Sequence, residues 1–353
     1  MQVINSPSFF IGKGGGELIS FGSGQPDLAP PAEAFAVLNG YCGFKYGLVA
    51  GSPELREALT PIYKGSNSEQ FVITNGASEA LDLVLRVLYE QGGGRILLPK
   101  PYYYSYPFNV KFAHLEVDYY ELVDGKIVIE ELEKKLPGAC AILINSPSNP
   151  TGTLQSPEVL KKIEKLTEQL GIYVIADNVY RDLVYQGEFY QMNGPKVISI
   201  DSFSKTYGMC GHRVGYLHSY DQELVNKAVE MKTHTSMNTN NLAQEMALAA
   251  LKSPKSYIEE HLAIWTERRN MIYDGMKELG LDLWQPEGAF YVFPKIKDSN
   301  KAVNELYYKY NIITYDGAWF GEPDRVRFSY ALDVEKIQEG LKRLKTFLEN
   351  RQL

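Results

Sequence analysis

Cysteine is scarce: three in 353 residues (Cys42, Cys140 and Cys210) make neither a disulfide framework nor a metal-binding spacing, which suits a reducing, cytoplasmic setting. The amino-terminal segment MQVINSPSFFIGKGGG lacks a basic stretch followed by an apolar one. No apolar run in the chain approaches the roughly 18 residues of a membrane span, so no membrane partner is expected. Positive charge is not in excess either, since 36 Lys and Arg against 43 Asp and Glu leave −7. Bulk electrostatics therefore offer nucleic acid no hold. Five scattered histidines fall into no HExxH or Cys/His pattern, and no metal is expected. A GxSxG elbow is missing and Cys210 lacks the context of a nucleophile, so hydrolase chemistry has no support. The glycine runs at 12–16 and 92–94 do not follow a strand and open a helix as a phosphate loop must; the second precedes a β-run and reads as a turn.

Apolar residues are plentiful at 44%, enough for sizeable cores, and the length fits two domains. Tyrosine is unusually frequent, with 25 copies. From residue 71, short β-rich runs (71–74, 95–98, 140–145, 172–177, 197–201 and 214–218) alternate with longer amphipathic stretches. That alternation is the pattern of crossover connections over a mainly parallel sheet, one large α/β domain. A helix is expected over 78–89, where Leu81, Val84, Leu85 and Leu88 repeat at helical spacing. Another is expected over 157–170, with Ser156 as N-cap and Pro157 at its first position. Beyond about Lys252 the texture becomes α+β: a long helix (257–279), strand-like pieces (290–294, 312–315, 326–330) and a last helix over 333–350 capped by Asp333. No repeat at a period of 20 to 50 residues is present.

Reactive side chains cluster at the ends of the β-runs. SFSKTYGMCGHRVGY (202–216) puts Lys205 between small hydroxyl residues at the carboxyl end of a strand, where an α/β sheet places its ligands. Arg213 lets a cation and the hydroxyls of Ser202 and Ser204 converge on one anion while Lys205 stays free to react. ADNVY (176–180) sets Asp177 at a strand end with Tyr180 one helical turn on, so carboxylate and phenol point the same way. NSPSNPTG (145–152) presents Asn149 from a polar turn. TNGASEAL (74–81) brings Gly76, Ala77 and Ser78 to a helix start, where free N–H groups favour phosphate. Any one of these alone reads as well as a solvated or ion-paired group; together and in this order they form a constellation.

In these segments the chain resembles the class I/II aminotransferases of fold type I, the pyridoxal 5′-phosphate (PLP) enzymes related to aspartate aminotransferase. The resemblance runs from SGQPD (23–27) to RVRFSY (325–330). It implies a three-layer α/β/α large domain over 41–253, a smaller α+β domain built from 1–40 and 254–353, and a homodimer that shares its active sites. Lys205 matches the Schiff-base lysine and proton shuttle, and Asp177 the partner of the pyridine nitrogen. Tyr180 and Asn149 match the partners of the cofactor's phenolic oxygen. Gly76, Ala77, Ser78, Ser202, Ser204 and Arg213 fall in the phosphate cup, and Tyr46 matches a tyrosine that reaches the phosphate of the neighbouring subunit. Tyr103 falls at the ring-stacking position, with Tyr102 and Tyr104 as the alternatives if the register slips. Arg327 matches the clamp on the substrate α-carboxylate, to which Gly24 adds a backbone N–H.

The implied activity moves an amino group from an L-amino acid to a 2-oxo acid by a ping-pong mechanism. Ser78 stands where some acid-specific relatives carry lysine, and no second cation is identified, which favours neutral or aromatic donors. The sequence departs from the family at Asn178, usually acidic, and at His212, usually bulky; neither position contacts cofactor in the family. The alternative is a PLP lyase or decarboxylase of the same fold, a C–S β-lyase or a relative of threonine-phosphate decarboxylase. Lyase relatives commonly carry histidine where Tyr180 stands, and SGQPD differs from the Asn-Glu-Asn-Pro opening of the histidinol-phosphate branch. A PLP-sensing regulator would need a DNA-binding module ahead of the fold, for which the about 20 residues before SGQPD leave no room.

Overall fold

A computed structural model describes residues 4–13 and 16–351. The expectation for the glycine run 12–16 therefore lies outside the described residues at Gly14 and Gly15. The N-terminal arm carries β1 (Ile19–Ser20). The middle of the chain carries β2 (Phe71–Thr74), β3 (Arg95–Lys100), β4 (Glu116–Val123), β5 (Lys126–Ile127), β6 (Ala139–Asn145), β7 (Tyr173–Asp177), β8 (Val197–Ser202) and β9 (Gly215–Ser219). The C-terminal part carries β10 (Tyr291–Val292), β11 (Ile312–Ile313), β12 (Tyr315–Asp316) and β13 (Val326–Ser329).

Strands β2 to β9 form one sheet in the order β2-β9-β8-β7-β6-β3-β4-β5, parallel except where β9 and β5 run against their neighbours. Its central strands are buried on both faces, which is why they read as near-continuous apolar runs. Alternate residues serve opposite layers. Leu143 and Ile175 pack with Leu81, Val84 and Leu88 of the helix Ala77–Glu90 and with Leu224 and Ala228 of the helix Gln222–Thr235. Ile142, Ile144, Val174 and Ala176 pack with Leu160 and Ile163 of the helix Pro157–Leu170. Ser156 Oγ accepts from the Val159 N–H at 3.3 Å, the cap read from the sequence, and Gly171 ends that helix at φ 70°. Gly92, Gly93 and Gly94 turn the chain into β3 with φ of 119°, 65° and 129°.

All six β-runs expected from the sequence are strands of this sheet. The strand β4 was not expected: it lies towards the sheet edge, half-exposed, and Glu116, Asp118 and Glu121 interrupt its apolar pattern. Register then builds the site. Asn145 pairs with Asp177, Ser202 with Gly215, and Gly215 with Thr74, so these strand ends meet along one edge of the sheet.

The C-terminal part packs a three-stranded antiparallel sheet, β10-β13-β12, against the helices Lys255–Glu278, Ser299–Tyr310 and Val334–Arg351. Strand β1 pairs in parallel with β11, Ile19 opposite Ile312, and Ile4, Phe10 and Phe21 of the arm share a core with Trp265, Phe328 and Phe347. The turns after β1 are thereby carried over the sheet edge.

Candidate active site

A cavity of about 470 Å³ opens where the sheet edge meets the arm and the C-terminal sheet. All the site residues named from the sequence line it except Gly76 and Tyr46. Strand β8 ends at Ser202, whose Oγ accepts from the Ser204 N–H at 3.1 Å and so caps the single turn Phe203–Thr206 that carries Lys205. Lys205 Nζ donates to the Gly24 carbonyl at 2.5 Å. Burial pulls its basicity below the ordinary lysine value; Arg327 and Arg213 add to this, while Cys210 and Asp177 oppose it. An amine held this way is more readily neutral, hence nucleophilic and able to accept a proton.

Asp177 closes β7 and is buried. Tyr106 Oη donates to its Oδ2 at 2.6 Å and the Val179 N–H to its Oδ1 at 3.3 Å. Burial raises its pKa to about 6, against the lowering effect of Tyr106, Val179 and Lys205. Tyr180 sits in a turn over 179–182 and not in the helical turn that the sequence reading assumed, yet it lines the same cavity as Asp177. Its hydroxyl lies 2.8 Å from that of Tyr291.

The opposite wall is a cradle for an anion. Gly76, at φ 79°, precedes the helix start at Ala77, and Arg213, at φ 52°, sits just before β9. The Arg213 guanidinium lies across Gly76, where a Cβ would come within 2.5 Å of Nη2. It donates to the carbonyls of Asn75 at 3.2 Å and Cys210 at 3.1 Å. Ser202 Oγ and Ser204 Oγ lie 2.8 Å apart beside it. Helix N–H groups, a guanidinium and two hydroxyls make a set that could hold a phosphate.

Arg327, from β13, is 1% exposed. Its Nη1 donates to Asn149 Oδ1 at 2.9 Å and its Nη2 to the Gly22 carbonyl at 2.6 Å, while Nε is buried without a partner. The rings of Tyr291, Tyr315 and Phe320 enclose it at 4.6, 4.6 and 4.9 Å. Among the described residues no carboxylate pairs with it. A dry guanidinium with an open N–H is a receptor for one.

Other expectations sort by position. Tyr46 is 83% exposed and does not line the cavity of its own chain. Tyr102 stacks on Tyr119 and leaves the cavity, whereas Tyr103 and Tyr104 line it. Asn178 and His212 stay outside it. Sequence reading missed the pairing roles of Tyr106 and Tyr291. Tyr106 follows Tyr103 by three residues in YYYSY, but only the tertiary fold shows which of those phenols meets Asp177. Among the described residues no group of His, Cys, Asp and Glu could hold a metal ion, and no helix is long and apolar enough to cross a membrane.

A reactive lysine at a strand end, a buried carboxylate on the next strand and an anion cradle, on this sheet, define a PLP-dependent enzyme of fold type I. The chain belongs to the family of aminotransferase class I and II, which it matches over residues 17–344. It is 32% identical to a probable aspartate/prephenate aminotransferase of Aquifex aeolicus, over 95% of this chain and 92% of that one. It is 30% identical to aromatic-amino-acid aminotransferase 2 of Thermococcus litoralis, over 98% and 95%. The crystal structure of an aspartate aminotransferase from Thermotoga maritima superposes with a TM-score of 0.89 at 31% identity, covering 97% of this chain and 95% of that one. The protein is a PLP-dependent aminotransferase.

Proposed function

We propose that this enzyme takes the amino group of an L-amino acid, neutral or aromatic in preference to acidic, and delivers it to a 2-oxo acid in a ping-pong cycle. One observation carries the proposal: a single cavity is lined by a lysine of lowered basicity, a buried carboxylate, an anion cradle and a guanidinium with an open N–H. These groups fit PLP. Gly76, Ala77, Ser78, Ser202, Ser204 and Arg213 would hold its phosphate, Asp177 its pyridine nitrogen, Tyr180 and Asn149 its phenolic oxygen, and Tyr103 its ring. When bound, PLP supplies the sink for the electron pair left as the substrate Cα–H bond breaks.

The chain's own residues do the rest. Asp177, as carboxylate, keeps the pyridine nitrogen protonated. Lys205 Nζ, when it is the neutral amine, would take the Cα proton as general base. Arg327 and the Gly24 N–H orient the α-carboxylate, and the surrounding rings exclude water. Apart from Lys205, Arg213 and Arg327 no cation among the described residues lines the cavity, while Tyr103, Tyr104, Tyr291 and Tyr315 offer aromatic faces. This supports neutral or aromatic donors. Tyrosine at 180 favours transamination over lyase chemistry.

Exposed Tyr46, beside exposed Phe44 and Leu48, supports a homodimer in which it completes the neighbour's phosphate site. We assign residues 41–253 to the large domain and 1–40 with 254–353 to the small one. Three unpaired cysteines are in keeping with a cytoplasmic enzyme. The test is to mix the purified enzyme with a panel of amino acids and two oxo acids and follow the two absorbance bands of the cofactor. Aromatic or neutral donors should exchange the bands fastest, and Lys205→Ala should abolish the exchange. Exchange retained by that variant, or release of ammonia or CO₂ in its place, refutes the reading.

A further inference from the structure

Behind the helix start that faces the cavity lies a second set of charges. Glu79, in the first turn of the helix Ala77–Glu90, folds its carboxylate back on the preceding turn, where Oε2 accepts from the Asn75 backbone N–H at 2.5 Å and from Asn75 Nδ2 at 2.9 Å. From the other side Lys232, on the helix Gln222–Thr235, donates to Oε1 at 3.0 Å and to Oε2 at 2.9 Å. The Lys232 side chain has no exposed surface, and its ammonium also reaches Ser236 Oγ at 2.8 Å. Ser236 Oγ in turn donates to Glu79 Oε1. Asn75 passes the chain on, since its carbonyl accepts from Arg213 Nη2 at 3.2 Å. An unbroken path of contacts thus leads from Lys232 through Glu79 and Asn75 to the guanidinium of the cradle.

The arrangement has an electrostatic problem and its solution. A carboxylate in the first helical turn suits the helix dipole but repels any anion bound at the same helix end. A fully enclosed ammonium is tolerated only beside an opposite charge. Burial pushes Glu79 upward, yet the hydrogen bonds from Ser236, Asn75 and Lys232 outweigh it and hold the carboxyl below its ordinary range. Burial lowers the pKa of Lys232 while Glu79 opposes that shift, and the hydrogen-bonded contacts favour the ionised pair, whose two charges cancel directly behind the cradle.

We propose that Glu79 and Lys232 are positioning residues for the cofactor phosphate: Glu79 fixes the turn at 75–78 through hydrogen bonds that a glutamine carbonyl at this position can also accept, and Lys232 cancels the charge that the carboxylate adds behind the cradle. The proposal rests on the reading of Gly76 to Ser78, Ser202, Ser204 and Arg213 as the phosphate site.

Its test compares the dissociation constants of PLP and of pyridoxal, which lacks the phosphate, in absorbance titrations of enzyme stripped of cofactor. Lys232→Met should weaken PLP about tenfold or more by exposing the phosphate to an uncancelled carboxylate, with pyridoxal changed less than about twofold. The double variant Lys232→Met/Glu79→Gln removes both charges and should recover PLP affinity to within about threefold of the parent. A double variant as weak as the single, or parallel loss of PLP and pyridoxal, overturns the proposal. Should Lys232→Met be recovered unfolded, Glu79→Gln decides alone: it leaves a positive charge behind the turn and must not weaken PLP by more than about threefold, and a tenfold loss overturns the charge argument. Arg213→Met separates the two levels. If it leaves the PLP to pyridoxal ratio unchanged, the phosphate-site reading fails and the proposal with it; if it collapses the ratio while Lys232→Met does not, only the proposal fails.

Discussion

Tyr106 donates its hydroxyl to Asp177 Oδ2 at 2.6 Å, and both side chains are buried. This bond stabilises the carboxylate that burial otherwise disfavours, so its loss must raise an Asp177 pKa that already stands at about 6. In the proposed mechanism Asp177 acts as an anion, so activity should be lost as pH falls through its pKa, and a protonated pyridine nitrogen held there would move that loss to lower pH. Tyr106→Phe should shift the acid limb of kcat/KM to higher pH by about one unit. Profiles from pH 5 to 8 check this, and a limb that does not move would detach Tyr106 from the chemistry.

Asp177→Asn should retain cofactor, because the cradle at Gly76, Ser204 and Arg213 is untouched. Turnover should fall on the order of a hundredfold or more as the electrostatic support of the electron sink is lost. Single-turnover rates on cofactor-saturated enzyme are the measurement, and near-normal rates would sink the role.

Arg327→Lys keeps the charge but gives up the planar fork and the open Nε. KM should rise for every amino acid alike, roughly tenfold or more, since the clamp reads the group that all of them share. A loss confined to one substrate would show that Arg327 reads side chains.

Tyr46 lies on the chain's exterior, and if a neighbour's phosphate is its target, dimer and cofactor must come apart together. Dilution through the dimer dissociation constant should release PLP along with activity. Tyr46→Phe should weaken PLP about five- to tenfold without changing the dimer, as expected for one hydrogen bond to a charged group. A fully active monomer would contradict the shared site.

What the sequence disclosed follows from local physics. Strands such as YVIAD and VISIDS are buried on both faces, so composition alone marks them, and Ser156 before Pro157 marks a helix start. The motifs that resemble the family lie at strand ends, and the parallel register brings those ends together without further information. Strand β4 stayed hidden because it is half-exposed and carries charge. The pairings Tyr106 with Asp177, Tyr180 with Tyr291 and Lys232 with Glu79 stayed hidden because each joins residues far apart in the chain, and side-chain type says nothing of who meets whom. The many tyrosines are now partly placed: Tyr103, Tyr104, Tyr106, Tyr180, Tyr291 and Tyr315 all line one cavity.

The pairing of Ile19 with Ile312 has a consequence for how the molecule matures. The arm it anchors supplies the carbonyls of Gly22 and Gly24 to Arg327 and Lys205, so the active site depends on a contact between segments far apart in the sequence. Segments so far apart pair only after a long loop of chain has closed, a slow kind of contact. The central sheet is built from residues that lie between the two segments, so it can form before the arm is pinned, and the site is complete only once both segments are in place.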